Sequence, residues 1–162
     1  MQEQNNIIEK LKNKYVFFDL DGTLSEYRYE DHLYAGRCPE LGCQSLHDFL
    51  FGDLFLKARP LETMQQVVKQ LSSDKIFILG TVVSNQETRQ KYAWLKKYFP
   101  SFKKENVIFI SSTALKPEVI LEYSKQFNIS INDIVFVDDR IDVLRKAEEL
   151  GIVSYHPSSF TK

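Results

Sequence analysis

Apolar residues along the chain gather into five short runs: Lys14 to Leu20 (KYVFFDL), Lys75 to Thr81 (KIFILGT), Asn106 to Ile110 (NVIFI), Asp133 to Val137 (DIVFV) and Ile152 to Tyr155 (IVSY). None alternates with polar residues, a pattern that predicts strands buried on both faces of a parallel sheet. Between the runs, apolar residues recur at helical spacing: Leu61, Met64, Val67, Val68 and Leu71; Tyr92, Leu95 and Phe99; Val119, Ile120, Tyr123 and Phe127; Val143, Leu144, Ala147 and Leu150. The punctuation agrees with this division. Pro60 and Pro117 fall where first helical turns are expected, Gly151 stands where a helix would end in a left-handed residue, and Ser84 with Glu87 forms an S-x-x-E capping box. Residues 1–13 read as a polar leading helix.

Strand and helix alternating in this way predict a three-layer, Rossmann-like α/β fold with right-handed crossovers and a ligand site at the carboxyl ends of the strands. One stretch breaks the alternation. About 36 residues, from Ser25 to Pro60, separate the first strand from the first crossover helix, far more than a usual loop. The expected organisation is a single domain with a core at about 14–24 and 60–157 and a small cap inserted at about 25–59.

A length of 162 residues suits one core, and 43% hydrophobic with 27% charged residues excludes disordered and fibrous classes. Twenty-one basic against 22 acidic side chains leave a net charge of -1, which gives no footprint for a nucleic-acid polymer or an anionic membrane. The expected partner is a small molecule. No apolar run approaches the roughly 18 residues of a membrane span, and Met1 to Asn6 lacks the features of a secretion signal, so a cytoplasmic location is expected. Cys38 and Cys43 make no disulfide framework and are expected to be reduced thiols.

The chemistry lies at two strand ends. Asp19 and Asp21 follow the first run, and Asp138 and Asp139 follow the fourth. Carboxylates converging in a crevice repel one another unless a cation offsets them, and magnesium suits a few carboxylates plus phosphate oxygens. Thr81 adds a hydroxyl at the end of the second run. Lys116, just before Pro117 at a helix start, adds a positive charge near backbone donors, and together these describe a phosphate site.

DLDGT at Asp19 to Thr23, the strand-end Thr81, LKPE around Lys116 and FVDD ending at Asp139 resemble, in order, the four motifs of the haloacid dehalogenase (HAD) superfamily. The resemblance spans roughly 14–157 and implies a parallel sheet of order 5-4-1-2-3. It implies that Asp19 is the nucleophile that takes a phosphoryl group, and that Asp21 is the general acid and base and gives its backbone carbonyl to magnesium. It further implies that Thr81 and Lys116, with Gly22 and Thr23 of the DLDGT loop, bind substrate. Asp138 and Asp139 would complete the metal site with Asp19, Asp139 being the preferred direct ligand. Ser84 is the alternative to Thr81, which is preferred because it reaches the strand end and Ser84 already caps a helix. Asp142 has an open role. An aspartate at position 21 favours a phosphatase or phosphomutase over the superfamily's dehalogenases, phosphonatases and ATPases, and a cap this short disfavours a mutase.

The stretch Gln90 to Pro100 (QKYAWLKKYFP) is similar to the segment following motif two in 5'(3')-deoxyribonucleotidases, which implies a nucleoside monophosphate substrate; a sugar phosphate or phosphoglycolate-type acid is the alternative. The plainer reading of Tyr92, Leu95 and Phe99 is a buried helical stripe, with Trp94 and Tyr98 over neighbouring core. The aromatics of the insertion (Tyr27, Tyr29, Tyr34, Phe49, Phe51 and Phe55) suit either base stacking or packing. His32, Cys38, Cys43 and His47 offer four zinc-type ligands, but their spacing fits no common zinc signature, and ordinary cap residues are the simpler reading. A receiver-like signalling module also combines aspartates, threonine and lysine, but its acidic pair precedes the other two, whereas here Asp138 and Asp139 follow Lys116. A phosphate-binding scaffold without turnover is the remaining alternative.

Overall fold

The computed structural model describes residues 2–26 and 53–161. The chain begins with α1 (Gln2–Leu11), then β1 (Tyr15–Phe18); after the insertion come α2 (Glu62–Lys69), β2 (Ile76–Thr81), α3 (Asn85–Tyr98), β3 (Val107–Ile110), α4 (Lys116–Gln126), β4 (Ile134–Val137), α5 (Ile141–Glu149) and β5 (Val153–Tyr155). All strands are parallel, in the order β3-β2-β1-β4-β5, which is the expected order read from the other edge.

Side chains alternate across this sheet, and both faces are covered. Val16, Phe18, Ile76, Ile78, Val135 and Val137 pack with Ile8 and Leu11 of α1, Met64, Val67 and Val68 of α2, and Trp94 and Leu95 of α3. On the other face Phe17, Phe77, Leu79, Ile134 and Phe136 pack with Ile120 of α4 and Val143, Leu144 and Ala147 of α5. That double burial is why the strands read as unbroken apolar runs. The leading helix is polar in composition, yet Ile8 and Leu11 anchor it in the first of these cores.

The helix signals hold with local exceptions. Pro117 lies in the first turn of α4, and Gly151, with φ at 85°, follows α5 in the left-handed conformation expected. Pro60, however, precedes the extended Leu61 that caps α2, so it lies outside the first turn and instead bridges to Ser25. Phe127 and Leu150, expected on buried stripes, end their helices and are 54% and 37% exposed.

The two ends of the insertion are held side by side. Glu26 N–H donates to the Arg59 carbonyl at 2.7 Å, Leu61 N–H to the Leu24 carbonyl at 2.8 Å, and Arg59 pairs with Glu26. Tyr27, Tyr29, Tyr34, Phe49 and Phe51 and the His32, Cys38, Cys43 and His47 group lie outside the described residues. Phe55, in a 3-10 turn at Leu54–Lys57, is buried. Among the described residues, no helix is long and apolar enough to cross a membrane.

Candidate active site

Strand register brings the acidic residues together. Phe18 pairs with Val137, so the next residues, Asp19 and Asp138, leave adjacent strands at the same height. The ladder continues one step further: Asp19 N–H donates to the Val137 carbonyl at 2.9 Å and Asp138 N–H to the Tyr155 carbonyl at 3.3 Å. After Asp19 the chain must turn sharply. Gly22, with φ at 81°, supplies the left-handed residue, and its N–H donates to the Ser25 carbonyl at 2.9 Å. Thr23 is buried behind the turn and donates its hydroxyl to Asp19 Oδ2 at 3.1 Å.

A cavity of about 510 Å³ opens at this carboxyl edge, lined by Asp19, Asp21, Thr81, Thr113, Lys116, Asp138, Asp139 and Arg140. Carboxylate oxygens of Asp19, Asp138 and Asp139 all lie within 4.8 Å of one another. Lys116 Nζ stands between two of them, 2.5 Å from Asp19 Oδ1 and 2.8 Å from Asp138 Oδ2. The other Asp138 oxygen accepts from Arg140 N–H at 2.8 Å.

The charge balance at this point is uneven. Burial works against the Lys116 ammonium, but Asp19 and Asp138 outweigh it and raise its pKa, so it remains a cation. Burial, then the charge of Asp19, pushes Asp138 up to about 6 against the opposing pull of Lys116. Burial and the charges of Asp19 and Asp138 push Asp139 up to about 7. Among the described residues, the one lysine buried here does not neutralise the three carboxylates. The donor set is all oxygen, anionic and short of positive charge, which fits a hard divalent cation of the magnesium type. Asp19, Asp138 and Asp139 would hold it. Asp138 is already committed to Lys116 and a backbone N–H.

Six of the residues expected from sequence line one cavity: Asp19, Asp21, Thr81, Lys116, Asp138 and Asp139. Gly22 and Thr23 do not line it; their contacts shape the turn and brace Asp19. Ser84 is the N-cap of α3, accepting from Glu87 N–H at 3.1 Å, while the Glu87 carboxylate reaches Val83 N–H at 2.9 Å. Asp142 is exposed and paired with Arg140. The Gln90 to Pro100 segment is accounted for by packing: Trp94, Leu95 and Phe99 are buried, Tyr92 meets the Phe109 ring edge-on, and Trp94 Nε1 donates to the Ala58 carbonyl.

Three residues at or behind the site escaped the sequence reading. Thr113 Oγ1 lies 2.8 Å from Thr81 Oγ1, placing two hydroxyls side by side on the wall. Arg140 follows the paired aspartates directly. Lys91 is buried behind the wall against Asp21. Its sequence signals were the i, i+4 spacings from Glu87 and to Leu95.

No protein-family model matches the sequence, and no curated protein matches it significantly. Solved structures do match. A haloacid dehalogenase-like hydrolase from Streptococcus pneumoniae superposes with a TM-score of 0.56 at 18% identity, over 88% of this chain and 83% of that one. A HAD family enzyme from Bacteroides thetaiotaomicron, in complex with magnesium and inorganic phosphate, gives 0.54 at 16% identity over 88% and 93%. A haloacid dehalogenase-like hydrolase from Xanthomonas campestris gives 0.53 at 13% identity over 87% and 80%. With its strand order and the acidic cluster at the carboxyl edge of its central strands, this chain has the fold of the haloacid dehalogenase-like hydrolases.

Proposed function

We propose that the chain is a magnesium-dependent phosphomonoester hydrolase that works through an aspartyl-phosphate on Asp19, with a small phosphorylated metabolite as substrate. The observation that carries this reading is the convergence of Asp19, Asp138 and Asp139 within 4.8 Å, with Lys116 between Asp19 and Asp138. The Bacteroides thetaiotaomicron neighbour, in complex with magnesium and inorganic phosphate, adds support.

A carboxylate attacking a phosphate dianion needs compensating positive charge. Lys116 Nζ supplies part of it, and the Thr81 and Thr113 hydroxyls offer donors to the phosphoryl oxygens from the same wall. Magnesium, bound by the carboxylates, would neutralise further charge on the phosphoryl group. Asp19 Oδ attacks phosphorus as the ester oxygen departs, and Asp21 delivers the proton that this oxygen takes up. Asp21 then accepts a proton from water as the water oxygen attacks phosphorus, releasing inorganic phosphate and restoring Asp19. Thr23, bonded to Asp19 Oδ2, restrains the nucleophile's rotamer.

A screen of nucleoside monophosphates, sugar phosphates and phosphoglycolate with magnesium tests the reading. Hydrolysis of at least one class, abolished by chelation and restored by added magnesium, is expected. Hydrolysis that survives chelation, or none on any substrate, contradicts it. On the sequence resemblance alone a nucleoside monophosphate is the leading substrate and a sugar phosphate the alternative, and the screen separates them.

A further inference from the structure

A second ion cluster lies directly behind the cavity wall. Lys91, on the second turn of α3, stands three and four residues before Trp94 and Leu95 on the helix's buried face, and its side chain is 2% exposed. Long basic side chains normally carry their charged end out to water. This one turns inward. Its Nζ donates to Asp21 Oδ2 at 2.6 Å and to the Thr81 carbonyl at 2.9 Å, stands 2.7 Å from Glu87 Oε1, and lies over the Phe55 ring, 4.7 Å from its centroid. Glu87 uses its other oxygen to hold Val83 N–H at 2.9 Å. The chain Val83, Glu87, Lys91, Asp21 thus links the loop after β2 to the turn after β1.

Burying an ammonium costs several kcal/mol unless oxygens replace its water. Here three oxygens do so, from three separate places in the chain. A lysine kept inside at that cost, although it lines no part of the cavity, acts on something that does. Asp21 lines the cavity and is 31% exposed, and the bond from Lys91 engages its Oδ2.

We propose that Lys91 is a positioning residue for Asp21, fixing its carboxylate on the cavity wall beside Thr81 so that proton transfer meets the ester oxygen in one geometry. The inference rests on the phosphatase reading above. Losing the tether frees Asp21 to sample other rotamers and impairs both of its proton transfers, of which only the delivery to the leaving oxygen differs from one ester to another. Esters with poor leaving groups depend on that step far more than those with good ones.

The test compares an alkyl ester, glycerol 2-phosphate, with an aryl ester, p-nitrophenyl phosphate, on the full chain with magnesium. Lys91→Met should lower kcat/KM, which reports the first phosphoryl transfer and not the hydrolysis of the shared intermediate, by roughly 10²-fold for the alkyl ester and by less than about 10-fold for the aryl ester. Lys91→Gln, which keeps a polar donor and serves if the Met variant fails to fold, should shift the alkyl-to-aryl ratio in the same direction by a smaller factor. Equal losses on both esters would mean that Lys91 only supports packing, and no loss on either would remove any role; each overturns the proposal. A wild type inactive on both esters and on every substrate of the screen above overturns the phosphatase reading itself, and an active wild type whose alkyl-to-aryl ratio is unmoved in both variants overturns the positioning role alone.

Discussion

Lys116 and Lys91 are buried to the same extent, each with a side chain 2% exposed between two carboxylates, but their surroundings differ. Lys116 faces three aspartates across an open cavity, and the surplus negative charge leaves Asp138 and Asp139 with pKa values raised to about 6 and about 7. Lys91 is closed in by Asp21, Glu87, a backbone carbonyl and an aromatic ring. Among the described residues the first cluster is short of positive charge, as suits the proposed cation site. The second is filled, as a brace needs. Burial alone does not distinguish them; the charge balance and the access to the cavity do.

The largest expected effect separates the two clusters by chemistry. Asp19→Asn removes the proposed nucleophile and should reduce hydrolysis of p-nitrophenyl phosphate by roughly 10⁴-fold or more, whereas Glu87→Gln, in the filled cluster, should cost less than about 10-fold. Comparable losses in the two variants would break the distinction.

A second test uses pH. Asp138 and Asp139 bind protons more tightly folded than unfolded, so their contribution favours the folded state fully below about pH 4 and is lost as pH rises through 6 and 7. In metal-free protein, Asp139→Asn should therefore raise Tm by a few degrees at pH 8, on the order of 1–3 kcal/mol, and by clearly less at pH 5. The same substitution should shrink the thermal shift that magnesium produces in the wild type. A Tm change independent of pH would contradict the charge surplus at the first cluster.

The smallest expected effect sharpens the boundary between the clusters. Ser84→Ala removes the cap of the helix that carries Glu87 and Lys91, and should cost about 1 kcal/mol of stability with KM for the phosphate ester unchanged. A large rise in KM would instead make Ser84 a phosphate contact and displace Thr81 from that role.

Much of the first cluster was legible in the sequence because its residues sit next to strand ends, where direction is fixed by the backbone. Asp19, Thr81 and Asp138 follow uninterrupted apolar runs, and parallel register then brings Asp19 and Asp138 together. Lys116 could be placed because Pro117 marks a helix start. The second cluster was hidden for the converse reason. Lys91 lies among polar and charged helix residues, and whether a lysine turns out to water or inward depends on what packs opposite it. Here that is Asp21, 70 positions earlier in the chain. Thr113 escaped for a similar reason, since its neighbour Thr81 is 32 positions away. The aromatics of α3 and its C-cap show the limit of reading chemistry from composition: Trp94 and Phe99 serve the core. Pro60 was misplaced because its role is to close the neck of the insertion, a long-range pairing with Ser25 that local helix signals do not carry.

The proposed chemistry depends on Asp19 receiving the phosphoryl group. Acid quenching during turnover with magnesium, followed by borohydride reduction, converts an aspartyl-phosphate to homoserine, which peptide mass spectrometry can locate. Homoserine at position 19, lost when magnesium is chelated, is the predicted result. Active enzyme that yields homoserine at another aspartate and not at 19 would contradict it.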